Sequence, residues 1–267
     1  MMRKKSIPLL LLYFLFVPFY VCSQTTEVII WMDGHYPPYS YEENKQIKGI
    51  YIDIMRKISQ RMPDYNITFK AAPWQRVKKE VENGTVIAFA PLYYHGYDWP
   101  YVWPYSLAIM AESVIAVCRN DILSKPRPNW PDDYLGLRIG NASGYDGYGG
   151  RAFRQHVKDG KITLVETKTV KQNIFMLLKG RIDCYMVERL TYRWMMKKLN
   201  NSSVFKSTPY KILESAVIST DDVYLGFTDR DKGKFTFKKD FQQKFNNEVY
   251  KMKKSGEIKQ IATQYQP

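Results

Sequence analysis

The sequence is poor in cysteine and histidine, with three of each among 267 residues. So few cysteines exclude a small fold that depends on several disulfides. His35, His95 and His156 show no metal-ligand spacing with cysteines or acids, and neither Cys118 nor Cys184 belongs to a CxxC motif. Zinc and similar ions are held by clusters of such side chains at short spacings. We therefore expect neither a metal site nor a cofactor.

Long apolar runs are also scarce, since the only one is the fifteen-residue stretch 7–21 behind the basic residues 3–5. A membrane-spanning helix needs about 20 apolar residues. The pattern is more typical of a secretory signal peptide than of a membrane anchor. We expect residues 1–23 to be this signal and the protein to be exported. A lipoprotein anchored at Cys22 is the less favoured alternative, because bulky residues precede that cysteine.

Acidic residues are few relative to basic ones, 26 against 40, and the net charge is +14. Residues 1–23 contain three basic and no acidic residues, so the rest of the chain carries +11. Nucleic acid is not an expected partner of an exported protein, and the charge fits anionic envelope surfaces or a solvated exterior. A hydrophobic content of 45% excludes a disordered chain.

Cys118 and Cys184 lie in apolar, strand-like runs of a chain that we expect in an oxidising compartment. Cysteine in such runs behaves as a small buried hydrophobe. We therefore favour buried thiols, with a disulfide between the two as the alternative.

Apolar periodicity predicts two stretches in which strands alternate with helices. The predicted strands are 28–31, 67–69, 86–89, 137–139, 162–165 and 182–187. The predicted helices are 54–62, 74–81, 153–157 and 170–178. This alternation is typical of mostly parallel sheets flanked by helices, that is, of an α/β protein.

Two apolar segments, 113–118 and 216–227, are long enough to cross between two lobes, and a helical tail follows them. Two crossings return the tail to the lobe in which the chain began. We therefore predict residues 24–115 and 222–267 as lobe 1, and residues 116–221 as lobe 2. A double connection forms a hinge, and a ligand site is expected between the lobes.

Five short motifs, in this order and spacing, resemble the periplasmic solute-binding proteins of family 3, the polar amino acid group. They are Asp33 to Tyr39, Gly49 to Ile54, Gly140 to Gly144, Gly180 to Asp183 followed by Glu188, and Phe241 to Tyr265. The resemblance covers residues 27–265. It implies the type II periplasmic binding protein fold and a monomer that delivers a small polar ligand to the permease of an ABC transporter in the inner membrane.

The resemblance also implies two ligand contacts. Tyr36 would stack on the ligand, and Glu188 would hold its ammonium group. An ammonium in a closed cleft needs an anion or an aromatic face, since burying an unpaired charge is costly. The alternative for Glu188 is that it caps the helix that follows. Trp74 and Tyr93 are expected to line the cleft, and the other aromatic residues of 93–105 to be structural.

Two departures from the family affect the ligand. Tyr51 stands where the signature usually has an acid, and the segment 93–98 lacks the arginine that clamps the ligand carboxylate. Arg76 is the candidate replacement, with a solvated arginine as an equal alternative. Ser143 and Gly144 are expected to open the first helix of lobe 2 and to offer backbone amides to an anionic group, with a simple turn as the alternative.

No catalytic motif stands out. The glycines of 140–150 fit neither a dinucleotide fingerprint nor a nucleophile elbow. We therefore expect a binding protein and not an enzyme. The resemblance leaves two alternatives, a binding protein that reports to a receptor or kinase, and a periplasmic enzyme of dehydratase or peptidoglycan-cleaving type.

Overall fold

The structure is a computed structural model that describes residues 25–145, 147–200 and 202–266, without the side chains at 204 and 206. Within these ranges no helix is long and apolar enough to cross a membrane. The predicted signal peptide, residues 1–23, and the lipoprotein alternative at Cys22 lie outside the described residues.

A nine-stranded sheet runs through the molecule, with a three-stranded sheet, β2-β3-β4, beside it. The strands are β1 (Thr26–Asp33), β2 (His35–Tyr36), β3 (Ser40–Glu43), β4 (Gln46–Lys48), β5 (Tyr65–Ala72), β6 (Ala88–Leu92), β7 (Val102–Tyr105), β8 (Met110–Arg119), β9 (Arg138–Ala142), β10 (Thr163–Thr167), β11 (Cys184–Glu188) and β12 (Ile212–Thr228). The order in the large sheet is β10-β9-β11-β8-β12-β6-β1-β5, with β7 paired to β12.

Helices flank the strands, and two short 3₁₀ turns lie between β8 and β9. The helices are α1 (Ile50–Ser59), α2 (Trp74–Glu82), α3 (Gly150–Lys158), α4 (Val170–Leu178), α5 (Arg189–Leu199), α6 (Ser203–Ser207), α7 (Lys238–Ser255) and α8 (Glu257–Thr263).

Strands β8 and β12 join the two ends of the sheet. The outer pairs β1 with β5 and β6, and β9 with β10 and β11, run parallel. All pairs that involve β8 or β12 are antiparallel. We use lobe 1 for β1 to β7 with α1, α2, α7 and α8, and lobe 2 for β9 to β11 with α3 to α6. The boundaries at 115/116 and 221/222 stay a prediction.

The helical tail packs on lobe 1. Phe241, Phe245 and Val249 of α7 share one buried cluster with Ile54 and Ile58 of α1. A separate buried cluster forms around Ile174 and Leu177 of α4. The α/β fold predicted from apolar periodicity is therefore confirmed, with strand 86–89 observed two or three residues later as β6.

The expectation that Ser143 and Gly144 open a helix is wrong, because α3 begins only at Gly150. Residues 143, 144 and 147–149 form turns instead, and the Asn141 side-chain amide donates to the carbonyl of Tyr145 at 3.0 Å. Gly144 and Gly149 adopt φ values of 89° and 84°, which are left-handed and incompatible with a regular helix.

The preference for free thiols is also wrong, because Cys118 and Cys184 form a disulfide. The two residues face each other directly across the antiparallel pair β8 and β11, with a Cα–Cα distance of 4.0 Å. They are separated by 66 residues in the sequence, so this pairing becomes visible only once the strand order is known.

Candidate functional site

A cavity of about 40 Å³ lies where the two lobes meet. Lobe 1 contributes Asp33, Tyr36, Trp74 and Tyr93, the crossing strand β8 contributes Glu112, and the turn after β9 contributes Gly144 and Tyr145. We call this space the interlobe cavity. Its wall combines carboxylates with large aromatic rings.

Glu112 is held at the wall by three tyrosine hydroxyls. It is 3% exposed, and it accepts hydrogen bonds from Tyr36, Tyr51 and Tyr93, the last at 2.9 Å. Burial raises the pKa of Glu112 to about 7, although the tyrosine hydrogen bonds act in the opposite direction. The carboxyl group therefore titrates near neutral pH.

The turn before α1 brings Tyr51 to this carboxylate. Gly49 has a φ of 124°, and a Cβ there would lie 2.5 Å from the carbonyl oxygen of Tyr39. Only glycine tolerates such a backbone approach. The helix thus starts at Ile50, and Tyr51, in its first turn, is fully buried with its hydroxyl on Glu112.

Glu188 is the last residue of β11, and its side chain is 1% exposed. Its Oε1 atom has no hydrogen-bond partner within the described residues, and the side chain does not cap α5. The register pairs Glu188 with Val114, two residues from Glu112, so both glutamates project from the same face of the sheet. Burial and then the charge of Glu112 raise the pKa of Glu188 well above its usual range.

Asp33 ends β1 and is 2% exposed. It accepts the hydroxyl of Tyr145 at 2.5 Å and the backbone N–H of His35 at 2.8 Å. Burial outweighs these bonds and raises the pKa of Asp33 to about 6. Because Tyr145 belongs to lobe 2, this hydrogen bond also joins the two lobes across the interlobe cavity.

Among the described residues, neither lysine nor arginine lines the interlobe cavity. Arg76 is exposed, and its guanidinium carbon lies 5.8 Å from the centroid of the Trp31 ring. The Lys78 ammonium donates to the carbonyl of Gly144 at 3.0 Å. The structure thus places Arg76, the candidate carboxylate clamp, outside this wall.

Four residues selected from the sequence come together in the cavity wall, namely Tyr36, Trp74, Tyr93 and Gly144. Ser143 lines a neighbouring pocket of about 350 Å³, where its hydroxyl accepts from the Gln75 amide at 2.8 Å. Ligand contact by these residues and by Glu188 stays a prediction. Trp99, which we expected to be structural, also lines the interlobe cavity.

Sequence reasoning missed Glu112 and assigned no role to Asp33. Asp33 follows a buried parallel strand, and side chains at the carboxyl ends of such strands face the ligand crevice. That signal was present in the sequence. Glu112 has no comparable signal, because it opens a crossing strand and the tyrosines that hold it come from three separate segments.

Comparison with known proteins bears on the family and on the fold. A sequence profile of the bacterial extracellular solute-binding proteins, family 3, matches residues 28–93. The resemblance to family 3 is confirmed. No curated protein matches the sequence.

Solved structures similar to this chain extend the comparison beyond residues 28–93. A histidine kinase sensor domain with similarity to periplasmic binding proteins has a TM-score of 0.72 at 16% identity and covers 90% of this chain and 96% of its own. A structure reported for glutathione import via GshT and the cystine ABC importer TcyBC of Streptococcus mutans has a TM-score of 0.74 at 16% identity, covering 91% and 95%. A variant of ArgBP from T. maritima has a TM-score of 0.67 at 16% identity, covering 90% and 94%. The fold is the type II periplasmic binding protein fold.

Proposed function

We propose that this protein is an extracytoplasmic solute-binding protein that captures a small polar ligand, an amino acid or a related amine-containing compound, between its lobes. The observation that carries the proposal is the interlobe cavity, whose wall contains Tyr36 and Glu112, together with the buried Glu188, which projects from the same sheet face as Glu112 and whose Oε1 atom has no hydrogen-bond partner among the described residues. A buried carboxylate without a partner is costly unless it is protonated or meets a cation. An ammonium-bearing ligand supplies that cation.

Closure of the lobes accounts for capture. The ligand reaches residues of both lobes, such as Tyr36 and Gly144, only when the lobes are together. Its affinity is therefore higher for the closed form, and binding shifts the population towards that form. The closed protein then presents a surface that a membrane partner recognises, and we propose the permease of an ABC importer in the inner membrane as that partner.

A sensory role is the second candidate, and the similarity to a histidine kinase sensor domain favours it. Both roles use the same closure of the lobes. They differ only in the protein that recognises the closed form, a permease for import and a receptor or kinase for sensing. Neighbouring genes for a permease and an ATPase would favour import. Loss of ligand uptake in cells that lack this protein would establish import, and an altered transcriptional response with normal uptake would establish sensing.

The experiment that tests capture is a thermal-shift screen of polar metabolites. A ligand that binds only the folded protein raises its melting temperature, by an amount that grows with the ratio of concentration to Kd. We expect at least one amine-containing compound to raise Tm for the unaltered protein and to lose this effect in a Tyr36→Ala variant.

The matched control is Tyr250→Ala, which removes an exposed ring on α7. This variant should keep the full shift. If no compound raises Tm, or if Tyr36→Ala responds as the unaltered protein does, the proposed site is wrong.

A further inference from the structure

The interlobe cavity has more acidic side chains around it than recognition of an amino acid requires. Asp33 and Glu112 both line it, and Glu188 projects from the same sheet face as Glu112. An α-amino acid presents one ammonium and one carboxylate, so its site needs an anion for the first group and a cation or free N–H donors for the second. Within the described wall there are two acidic side chains and no lysine or arginine, and the histidine of the wall, His95, stacks on Trp99 with 3.8 Å between ring centroids.

The tyrosine hydroxyls that surround the two carboxyl groups are also committed. The hydroxyls of Tyr36, Tyr51 and Tyr93 all donate to Glu112, and that of Tyr145 donates to Asp33. Each hydroxyl has a single proton, so what it still offers to a ligand is an acceptor oxygen. Acceptors in this number suit a ligand that is rich in N–H donors.

Three nearby cations lie outside the wall of the cavity. Lys168 lines the neighbouring pocket, which shares Asp33, Trp74 and Tyr145 with the cavity, but it does not line the cavity itself. The Lys78 ammonium donates to the Gly144 carbonyl and lies 5.2 Å from the centroid of the Trp99 ring. The exposed Arg76 lies against Trp31 and does not line the cavity. A ligand carboxylate placed in the cavity would therefore face Asp33 and Glu112 without a guanidinium to offset the repulsion.

Aromatic faces complete the recognition of a cation. Tyr36 stacks on Tyr39 with 4.8 Å between ring centroids and lies at 89° to the Tyr145 ring with 5.7 Å between centroids. Trp74 lines the same cavity. Electron-rich ring faces attract ammonium groups once these are removed from water.

We propose that the interlobe cavity binds a small organic amine that carries ammonium groups and no carboxylate, with Asp33 and Glu112 as its counter-ions and Glu188 as a further anionic contact. This inference rests on the proposed function, because it names the ligand class of the same cavity. It separates this protein from binding proteins that clamp an α-carboxylate with arginine.

The test is isothermal titration calorimetry with a matched pair of compounds, 1,4-diaminobutane and 4-aminobutanoate, which differ by one ammonium in place of one carboxylate. Arginine serves as the α-amino acid probe. We expect 1,4-diaminobutane to bind at least about tenfold more tightly than either carboxylate-bearing compound. Asp33→Asn and Glu112→Gln should each weaken its binding by at least about tenfold.

Glu27→Gln is the control variant, because Glu27 is an exposed residue of β1 remote from the cavity wall. It should bind 1,4-diaminobutane with unchanged affinity. Circular dichroism establishes that each variant is folded. If a variant does not fold, the comparison of the three compounds on the unaltered protein still tests the proposed ligand class.

Three outcomes would overturn the inference. Equal or tighter binding of arginine or 4-aminobutanoate would show that the site accepts a carboxylate, which leaves the proposed function intact. Unchanged affinity in both folded cavity variants would remove Asp33 and Glu112 from the site. Absence of binding by all three compounds would reject the inference, and the metabolite screen then decides independently whether the protein captures any solute.

Discussion

Tyr51 shows how one departure from the family signature changes the hydrogen bonding of a site. The family signature usually carries an acid at this position, and here a tyrosine hydroxyl in the first turn of α1 donates to Glu112 on β8. From the sequence the departure at Tyr51 was visible, but its consequence was not, because Glu112 is 61 residues away in the chain.

Glu188 gives the most direct test of a single side chain. Glu188→Ala should weaken binding of a cationic ligand at least about tenfold, which corresponds to about 1.4 kcal/mol or more, because the variant removes a buried carboxyl group whose Oε1 atom has no hydrogen-bond partner among the described residues. Calorimetric titration measures the effect. Glu214→Gln is the control, since Glu214 is a surface residue paired with Arg189. An unchanged Kd for Glu188→Ala would remove this residue from the site.

Affinity for a cationic ligand should rise with pH between about 5.5 and 8. Burial raises the pKa of Asp33 to about 6 and that of Glu112 to about 7, so both groups are largely protonated at the lower end and ionised at the upper end. Only the ionised form attracts a cation, and binding near neutral pH should therefore release protons. The groups that face these carboxyls are Tyr36, Tyr51, Tyr93, Tyr145, His35, Glu188 and Asp221.

Titrations at several pH values, each in two buffers of different ionisation enthalpy, measure both the affinity and the number of protons released. Glu112→Gln should flatten the profile around pH 7. An affinity that stays constant or increases as the pH falls would contradict the assigned role of these carboxyls.

At the scale of elements, the sequence predicts those helices and strands whose apolar residues recur at a regular local spacing. Helices α2 and α4 follow directly from apolar residues spaced three and four apart, and Gly256 in left-handed conformation ends α7 where the Ser-Gly pair indicated a stop. The short strands β2 to β4 were not predicted, because each has only two to four residues and no clear alternation. The β8–β11 pairing, and with it the disulfide, depends on contacts between distant segments.

The disulfide between β8 and β11 should stabilise lobe 2. It closes a segment with a sequence separation of 66 residues, and bridges of this kind contribute about 2–4 kcal/mol to the free energy of unfolding. Urea denaturation of the Cys118→Ala, Cys184→Ala double variant should show a loss of this size. A reducing agent should destabilise the unaltered protein and leave the double variant unaffected. Equal stability of the oxidised protein and the double variant would contradict this role.

At the scale of the whole molecule, the lobes touch through contacts of very different burial. The hydrogen bond from Tyr145 to Asp33 lies at the interlobe cavity, whereas the ion pair between Lys198 and Glu43 lies at the surface. Exposed ion pairs contribute about 0–1 kcal/mol, while hydrogen bonds to charged groups contribute about 1.5–3 kcal/mol. Of these two contacts, the inner hydrogen bond should therefore contribute more to holding the lobes together.

Tyr145→Phe should accordingly weaken ligand binding by about 1.5 kcal/mol or more, since it removes the hydroxyl that joins lobe 2 to Asp33. Lys198→Met, which removes the surface pair but keeps most of the side-chain volume, should change binding by less than about 1 kcal/mol. Parallel titrations of the two variants with the same ligand provide the comparison. A larger effect for Lys198→Met than for Tyr145→Phe would show that the surface ion pair, and not the hydrogen bond at the cavity, contributes more to ligand binding.

The most direct measurement of ligand capture by closure is small-angle X-ray scattering with and without the compound that gives the largest thermal shift. We expect the lobes to separate to admit a ligand, because the interlobe cavity has a volume of only about 40 Å³ and the hydrogen bond from Tyr145 to Asp33 joins the lobes beside it. We expect a saturating ligand to lower the radius of gyration and to narrow the distribution of interatomic distances. Scattering profiles that superimpose with and without a saturating, bound ligand would contradict closure around that ligand.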